Sequence, residues 1–387
     1  MNDYTKMDVA LLELIDKLDI PDSHYRLAVE RYESLSRHLH RPESTLLALE
    51  PHVSCQGSFR YGTVIRPYLR GEEYDLDLVV QLAASKKTIA QRQLKDFVGR
   101  EVESYAKANR FKEPPSEKRR CWRLDYADEV SFHMDVLPAA PDDDDFISLL
   151  IGAGVDADLA ALAVVITDVD HDNYDVISPD WPRSNPRGYG RWFEARMASA
   201  SFERRARLVE GRAYASVDEV PAFEWKTPLQ RAIQIFKRHR DVMFNDAPTL
   251  KPISMILTTL AARAYNGETS LFMAVKNILE GMLAHIQPAP KRRVPNPVNP
   301  AEDFADRWSS DQRLEQNFCA WHRQALIDFT SLPSLLSGER ERLLEKRFDV
   351  NLSSSPSKSG GGARTTVPAV SVAPAVQITT PPRPWGT

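Results

Sequence analysis

The segment that most limits how this chain can fold is YDLDLVV, residues 74–80. Its alternation predicts a strand, with Leu76, Leu78 and Val80 on one face and Asp75 and Asp77 on the other. Carboxylates at i and i+2 of a strand lie only about 7 Å apart at their Cα atoms. Unpaired, they repel and raise each other's pKa. A fold that keeps them must rest the apolar face on a core and give the acidic face something positive. A later segment, SFHMDVLP at 131–138, has the same design: Phe132, Met134 and Val136 oppose Ser131, His133 and Asp135. If the two strands are neighbours, three carboxylates converge. Two hard divalent ions about 3.5–4 Å apart would hold such a cluster and support in-line phosphoryl transfer.

Upstream of the acidic strand, Gly57-Ser58 follows the strand-like run LEPHVSCQ. A glycine there lets a phosphate approach the backbone, and the adjoining N–H groups and hydroxyl can donate to its oxygens. A phosphate grip and a metal site thus fall within one stretch.

The remainder bounds the class. With 387 residues the chain is too long for one small core and reads as two lobes, or one large domain with extensions. Its 42% hydrophobic and 27% charged residues are those of a globular protein. A formal net charge of −4 demands neither a nucleic-acid nor a membrane partner. Cys55, Cys121 and Cys319 form no disulfide framework or metal-ligand spacing, which suits a reducing compartment. The first twenty residues lack a basic-then-apolar pattern and no apolar run is long enough to span a bilayer, so a cytoplasmic location is expected.

Two amphipathic helices are expected before residue 40, then strands at 49–58 and 74–82, a helix over 88–108, and a hairpin turning near Ala127 and Asp128. Beyond about Asn185 the pattern is mostly helical, most clearly in TPLQRAIQIFKRHRDVMF, where Leu229, Ile233 and Phe236 recur at i, i+4 and i+7. Further helices are expected near 252–266, 270–286, 310–331 and 333–347. From Asn351 to Thr387 there is no Asp or Glu, and Ser, Pro, Gly, Thr, Ala and Val dominate, which predicts a disordered tail. The fold class is α+β. The expected parts are a mixed-sheet catalytic lobe at 1–180, a helical lobe at 181–350 and the tail at 351–387.

Gly-Ser, then D-x-D, then a single Asp on a later strand resembles the DNA polymerase beta-type nucleotidyltransferase superfamily. The finer pattern is similar to the bacterial CD-NTases, relatives of cyclic GMP-AMP synthase and oligoadenylate synthase that serve CBASS anti-phage systems. It is carried by GSFRYGT, YDLDLVV, HMDVLP, SNPRGYGRWF, LQRAIQIFKRHRD, PISMILTTLAARAY and NPVNPAEDFADRW, roughly residues 50 to 310. The 16 residues between Ser58 and Asp75 exceed the gap of simpler members and suggest a helix-turn insertion.

The resemblance implies a bilobed fold with the active site in its cleft. It assigns Asp75 and Asp77 to two Mg²⁺ ions, for which Mn²⁺ could substitute. It makes Asp135 a ligand of the catalytic metal and the acceptor of the attacking hydroxyl's proton. Gly57 and Ser58 would hold the donor triphosphate, helped by Lys237 and by Ser254 on the next helix. The substrates implied are NTPs, ATP among them. The product would be a cyclic di- or trinucleotide that activates an effector. A partner with E1- and E2-like domains could conjugate the tail. A linear oligonucleotide, 2′-5′ oligoadenylate-like, or a modified RNA end is the alternative product. A nucleotide-binding pseudoenzyme is the alternative from another class, and a sugar-nucleotide glycosyltransferase would also use D-x-D.

Other residues have blander readings beside functional ones. Asp142 to Asp145 read as a solvated loop or helix start rather than a cation site. His133 reads as a supporting hydrogen bond, and Tyr61 and Tyr189 as packing rather than base stacking. Asn185 and Arg187 are candidates to reach a base or phosphate. The basic triplets at 118–120, around 204–207 and at 291–293 are short and scattered. With no zinc-ligand cluster, they do not suggest a DNA activator.

Overall fold

The computed structural model describes residues 3–69, 71–126, 130, 132–198, 217–218, 226–288 and 292–352. The turn expected at Ala127 and Asp128, the basic cluster of Arg204, Arg205 and Arg207, Lys291, and the tail beyond Leu352 lie outside the described residues.

Two helices open the fold, α1 (Asp3–Leu18) and α2 (Asp22–Leu39). Pro21 and Asp22 set the second start, since proline tolerates the first turn and an acid there meets the positive end of the helix. Strand β1 (His52–Gln56) runs directly into the short helix α3 (Gly57–Tyr61). Strand β2 (Tyr74–Gln81), helix α4 (Gln91–Ala108), strands β3 (Ser116–Glu117), β4 (Trp122–Tyr126) and β5 (Phe132–Pro141) follow. Of the 16 residues after Ser58, 59–61 complete α3, and the other described residues up to β2 form no further helix, in place of the longer helix-turn insertion expected. Gly62 in the left-handed region stops that helix, and Pro67 lies a few residues beyond it.

The strands form one mixed sheet in the order β1-β2-β5-β4-β3. Strand β2 is antiparallel to β1 and parallel to β5, and β4 is antiparallel to β5. After α5 (Asp144–Gly152) and α6 (Ala157–Ala160), β6 (Val164–Ile166) pairs with the end of β5, and β7 (Arg183–Ser184) with β6. Leu76, Leu78 and Val80 of β2, with Met134 and Val136 of β5, pack in one apolar core with Leu94, Val98 and Val102 of α4 and Tyr32, Leu35 and Leu39 of α2. The opposite face of β2 carries Asp75 and Asp77 and, beyond them, Val79, which is buried with Ala139, Val164 and Ile166.

The second half is helical: α7 (Pro186–Ala198), α8 (Pro228–Met243), α9 (Ser254–Ala264), α10 (Leu271–Gly281), α11 (Gln312–Ser331) and α12 (Ser337–Phe348), with a small hairpin of β8 (Pro295–Asn296) and β9 (Asn299–Asp303) between α10 and α11. Helix α8 begins with a full capping box: Thr227 accepts from the Gln230 N–H, and the Gln230 side chain accepts from the Thr227 N–H. It is the central rod, with Leu229, Ala232, Ile233, Ile235 and Phe236 all solvent-free. The first helix belongs to this second core: Met7, Leu11, Leu14, Ile15 and Leu18 are buried with the side chains of α8 and α10. Among the described residues no helix is long and apolar enough to cross a membrane.

Candidate active site

The parallel pairing of β2 and β5 places Asp75 opposite His133 and Asp77 opposite Asp135. Three carboxylates therefore meet on one sheet face. Asp135 is clamped from β4 by Arg123, whose Nε and Nη2 donate to its two oxygens at 2.7 and 2.8 Å. Such a bidentate fork fixes a carboxylate's orientation and leaves further lone pairs on both oxygens. Asp75, 62% exposed, pairs with His133 Nε2, and His133 Nδ1 faces Glu73 at 3.2 Å. Desolvation alone would raise the Asp75 carboxyl, but the His133 hydrogen bond and charge bring it below the ordinary range. The same bond raises His133.

Asp77 is different. Burial first, then the charges of Asp75 and Asp135, push its carboxyl up to about 7. A raised carboxylate between two others marks a place short of positive charge. The donors are hard oxygens, the class that Mg²⁺ prefers, so the residues fit a divalent ion.

Two cavities meet at this face, sharing Gly57, Tyr61, Asp77 and Met255 in their walls. The larger, of about 460 Å³, is also lined by Ser58, Thr63, Asp75, His133, Lys237, Arg240, Lys251 and Ser254. Gly57 sits at φ +67°, and a Cβ there would lie 2.1 Å from Asp77 Oδ2. Only glycine lets the end of β1 press this closely on the acidic strand. Lys237 reaches across from α8, where its ammonium donates to the Thr63 carbonyl and hydroxyl at 2.9 and 3.1 Å. Burial, then the neighbouring Arg240, lower it to about 7, with Asp241, Asp75 and Asp77 opposing. Ser254 Oγ accepts from Arg240 Nη1 at 2.9 Å.

All seven residues singled out in the sequence (Gly57, Ser58, Asp75, Asp77, Asp135, Lys237 and Ser254) thus lie in or beside this cleft. Sequence reasoning missed Arg240 and Lys251, both ion-paired to Asp241. Arg240 is three residues beyond Lys237 and so on the same helical face, a signal that was present. It also missed Arg123, whose link to Asp135 depends on strand pairing.

The other candidates take mostly structural places. Asp142 is buried against Lys86 and Arg183, Asp143 caps α5 by accepting from the Phe146 N–H, and Asp144 and Asp145 occupy the first turn. Tyr61 and Tyr189 are buried ring to ring at 5.2 Å, although both also line the smaller cavity. Asn185 spends its amide on the backbone of Leu159, Val298 and Gly188, and Arg187 pairs with Asp218.

Residues 51–138 match the model of the cyclic GMP-AMP synthase DncV-like family, nucleotidyltransferase domain. A c-di-GMP synthase of Roseivirga ehrenbergii is 27% identical over 348 residues, covering 89% of this chain and 84% of that protein. The cyclic dinucleotide synthase CdnG of Bradyrhizobium diazoefficiens is also 27% identical, over 83% of this chain and 74% of its own. The structure of that CD-NTase in complex with GTP superposes with a TM-score of 0.64 at 22% identity, covering 89% of this chain and 98% of the other. The likeness in structure establishes a bilobed α+β nucleotidyltransferase fold.

Proposed function

We propose that this nucleotidyltransferase, whose residues 51–138 match the DncV-like domain, condenses NTPs into a cyclic dinucleotide or trinucleotide and releases pyrophosphate. The observation that carries the reading is the register Asp77↔Asp135 in a parallel pair, beside a phosphate-sized cleft lined with cations. The names of the two relatives support cyclisation to a dinucleotide.

Each residue has a task. Gly57 and Ser58 leave room and a hydroxyl for the donor's phosphates. Lys237, Arg240 and Lys251 offset the charge that builds on the leaving pyrophosphate. Asp135, oriented by Arg123, takes the proton of the attacking ribose hydroxyl on a carboxylate oxygen. Asp75 and Asp77, with Asp135, would hold Mg²⁺, which when bound neutralises triphosphate charge and favours the attacking alkoxide. Holding donor and acceptor in line supplies much of the remaining acceleration. A second round in the same cleft, after the linear intermediate turns over, closes the ring. We assign the catalytic lobe to 1–180 and the helical lobe to 181–350. From the family resemblance we place the product in anti-phage (CBASS) signalling, acting on a cyclic-nucleotide-gated effector, with the C-terminal segment as the substrate of an E1/E2-like partner.

The test is direct. Pure protein with the four NTPs and Mg²⁺ or Mn²⁺ should give a phosphatase-resistant product by mass spectrometry. Asp75→Ala, Asp77→Ala and Asp135→Ala should each remove it while circular dichroism stays unchanged. A phosphatase-sensitive product would mean a linear oligonucleotide, and undiminished synthesis by any of the three variants would end the assignment.

A further inference from the structure

The smaller cavity, of about 250 Å³, adjoins the cationic cleft and shares Gly57 and Asp77 with it. Its walls mix the rings of Tyr61, Tyr189 and Phe304 and the side chain of Met255 with polar side chains, and it lacks the cluster of basic side chains that lines the other. It suits a flat base better than a polyphosphate. One ionisable side chain besides Asp77 and the tyrosines lines it, Glu302 of β9. Asn296 of β8 donates from Nδ2 to Glu302 Oε2 at 2.7 Å, while its own Oδ1 accepts from the Val298 N–H at 3.0 Å. Asn296 is 3% exposed, so the amide is locked and the carboxylate it holds is aimed. Each carboxylate oxygen keeps acceptor capacity.

We propose that Glu302, positioned by Asn296, is the base-reading residue of this cavity and selects guanine. The inference rests on the nucleotidyltransferase reading and deepens it by naming the acceptor's base. A carboxylate is an acceptor on both oxygens. Guanine offers two donors side by side, N1–H and the N2 amino group, and so satisfies both. Adenine offers one donor, N6, beside the N1 lone pair, which would face a carboxylate oxygen in repulsion. A site built to pair a donor edge rejects the base that lacks it, because its own buried acceptor is then left unmet. Burial raises the Glu302 carboxyl, with the Asn296 amide opposing, and two further N–H donors from a ligand would likewise favour its ionised form. The small β8–β9 hairpin thereby acquires a purpose, since it delivers both Glu302 and the ring of Phe304.

The test uses acceptor-only nucleotides, which carry a ribose hydroxyl but no pyrophosphate to lose. The full chain is given labelled NTPs together with GMP or AMP, and capped linear dinucleotides are counted. Wild type should favour GMP by roughly tenfold or more, the scale of one bidentate base contact. Glu302→Gln, which presents one donor and one acceptor, should bring the ratio to near one or invert it, with the melting temperature unchanged. An equal ratio in wild type, or an unchanged ratio in the variant, overturns the proposal. Saturation-transfer NMR with guanosine and adenosine, without any donor, decides base choice independently of turnover. A guanosine signal that is present in wild type and vanishes in Glu302→Gln supports it even if no dinucleotide forms, a result that would indict the reaction and not the base reading. Equal signals from both nucleosides sink it.

Discussion

Asp77 and Gly57 meet more closely than any side chain at position 57 would allow, and this contact decides what each can be. Gly57→Ala would place a methyl group 2.1 Å from Asp77 Oδ2 at a φ of +67°. The backbone conformation alone costs an L-residue about 1–2 kcal/mol. The contact must be relieved by moving the Asp77 carboxylate away from Asp75 and Asp135. We therefore expect at least a tenfold loss of product from Gly57→Ala with a stability loss of about 1–2 kcal/mol, read by product assay and urea unfolding. A variant with full activity would show that Asp77 tolerates displacement. The D-x-D pair itself was legible because period-2 alternation is a local property. His133 was legible as a supporting hydrogen bond, but neither its partner Asp75 nor the Arg123 clamp on Asp135 was, since both depend on which strands pair and in what register. Glu302 stayed hidden for a further reason: NPAED has no periodicity, and its meaning comes from a two-residue strand, β8.

Elements are joined at points where one buried charge serves several of them. Asp168, 2% exposed and just past β6, accepts from Arg119 and Arg120 in the β3–β4 turn at 2.7 and 2.9 Å, and its N–H donates to Gln91 at the start of α4. Burial would raise its carboxyl, but the two arginine hydrogen bonds outweigh it and hold it below the ordinary range. The folded-state pKa thus lies under the unfolded one. The stabilisation is complete above roughly pH 4, the unfolded value, and is lost as pH falls through the folded value. Asp168→Asn should therefore cost about 1 kcal/mol at pH 7, at the low end because both arginines are about half exposed. The gap from wild type should begin to narrow as pH falls below about 4. Denaturant titrations at pH 7 and pH 3 would check this, and a gap just as wide at the lower pH would contradict it. Helix ends and strand alternation were readable at this scale, as in α2 and α8. The connector after Ser58 was not: its length suggested a helix-turn, but Gly62 and Pro67 interrupt the pattern and leave irregular chain.

For the whole molecule, the helical core is bound together where α8, α11 and α12 meet. His239 Nε2 of α8 lies 3.0 Å from Asp328 Oδ2 of α11, and Arg347 of α12 reaches the same carboxylate at 2.7 Å. The His239 side chain is 1% exposed and that of Asp328 8%. Removing one partner of a buried ion pair strands the others, typically at about 3–5 kcal/mol. Asp328→Ala should therefore lower unfolding stability by about 3 kcal/mol without touching the cleft, so activity per folded molecule should persist. Urea unfolding combined with specific activity separates the two. An unchanged midpoint would remove the ion-pair network from the account of stability. The change from a mixed sheet to a mostly helical second half was legible from strand alternation and helical periodicity. That α1 closes the second core was not, because amphipathicity says that a helix has a buried face without saying against what.

That placement of α1 has a consequence for how the protein is made. The helix leaves the ribosome long before α8, against which it packs and which follows about 200 residues later. At a synthesis rate of roughly 5–20 residues per second, its five apolar side chains wait on the order of ten seconds or more without their partners. The sheet and its covering helices can be completed in that interval, while the helical core cannot close until most of the chain exists. Birth order and folding order are therefore inverted for this helix. A nascent chain stalled before Pro228 would carry a finished catalytic sheet and an orphan helix, the form in which chaperones would meet it.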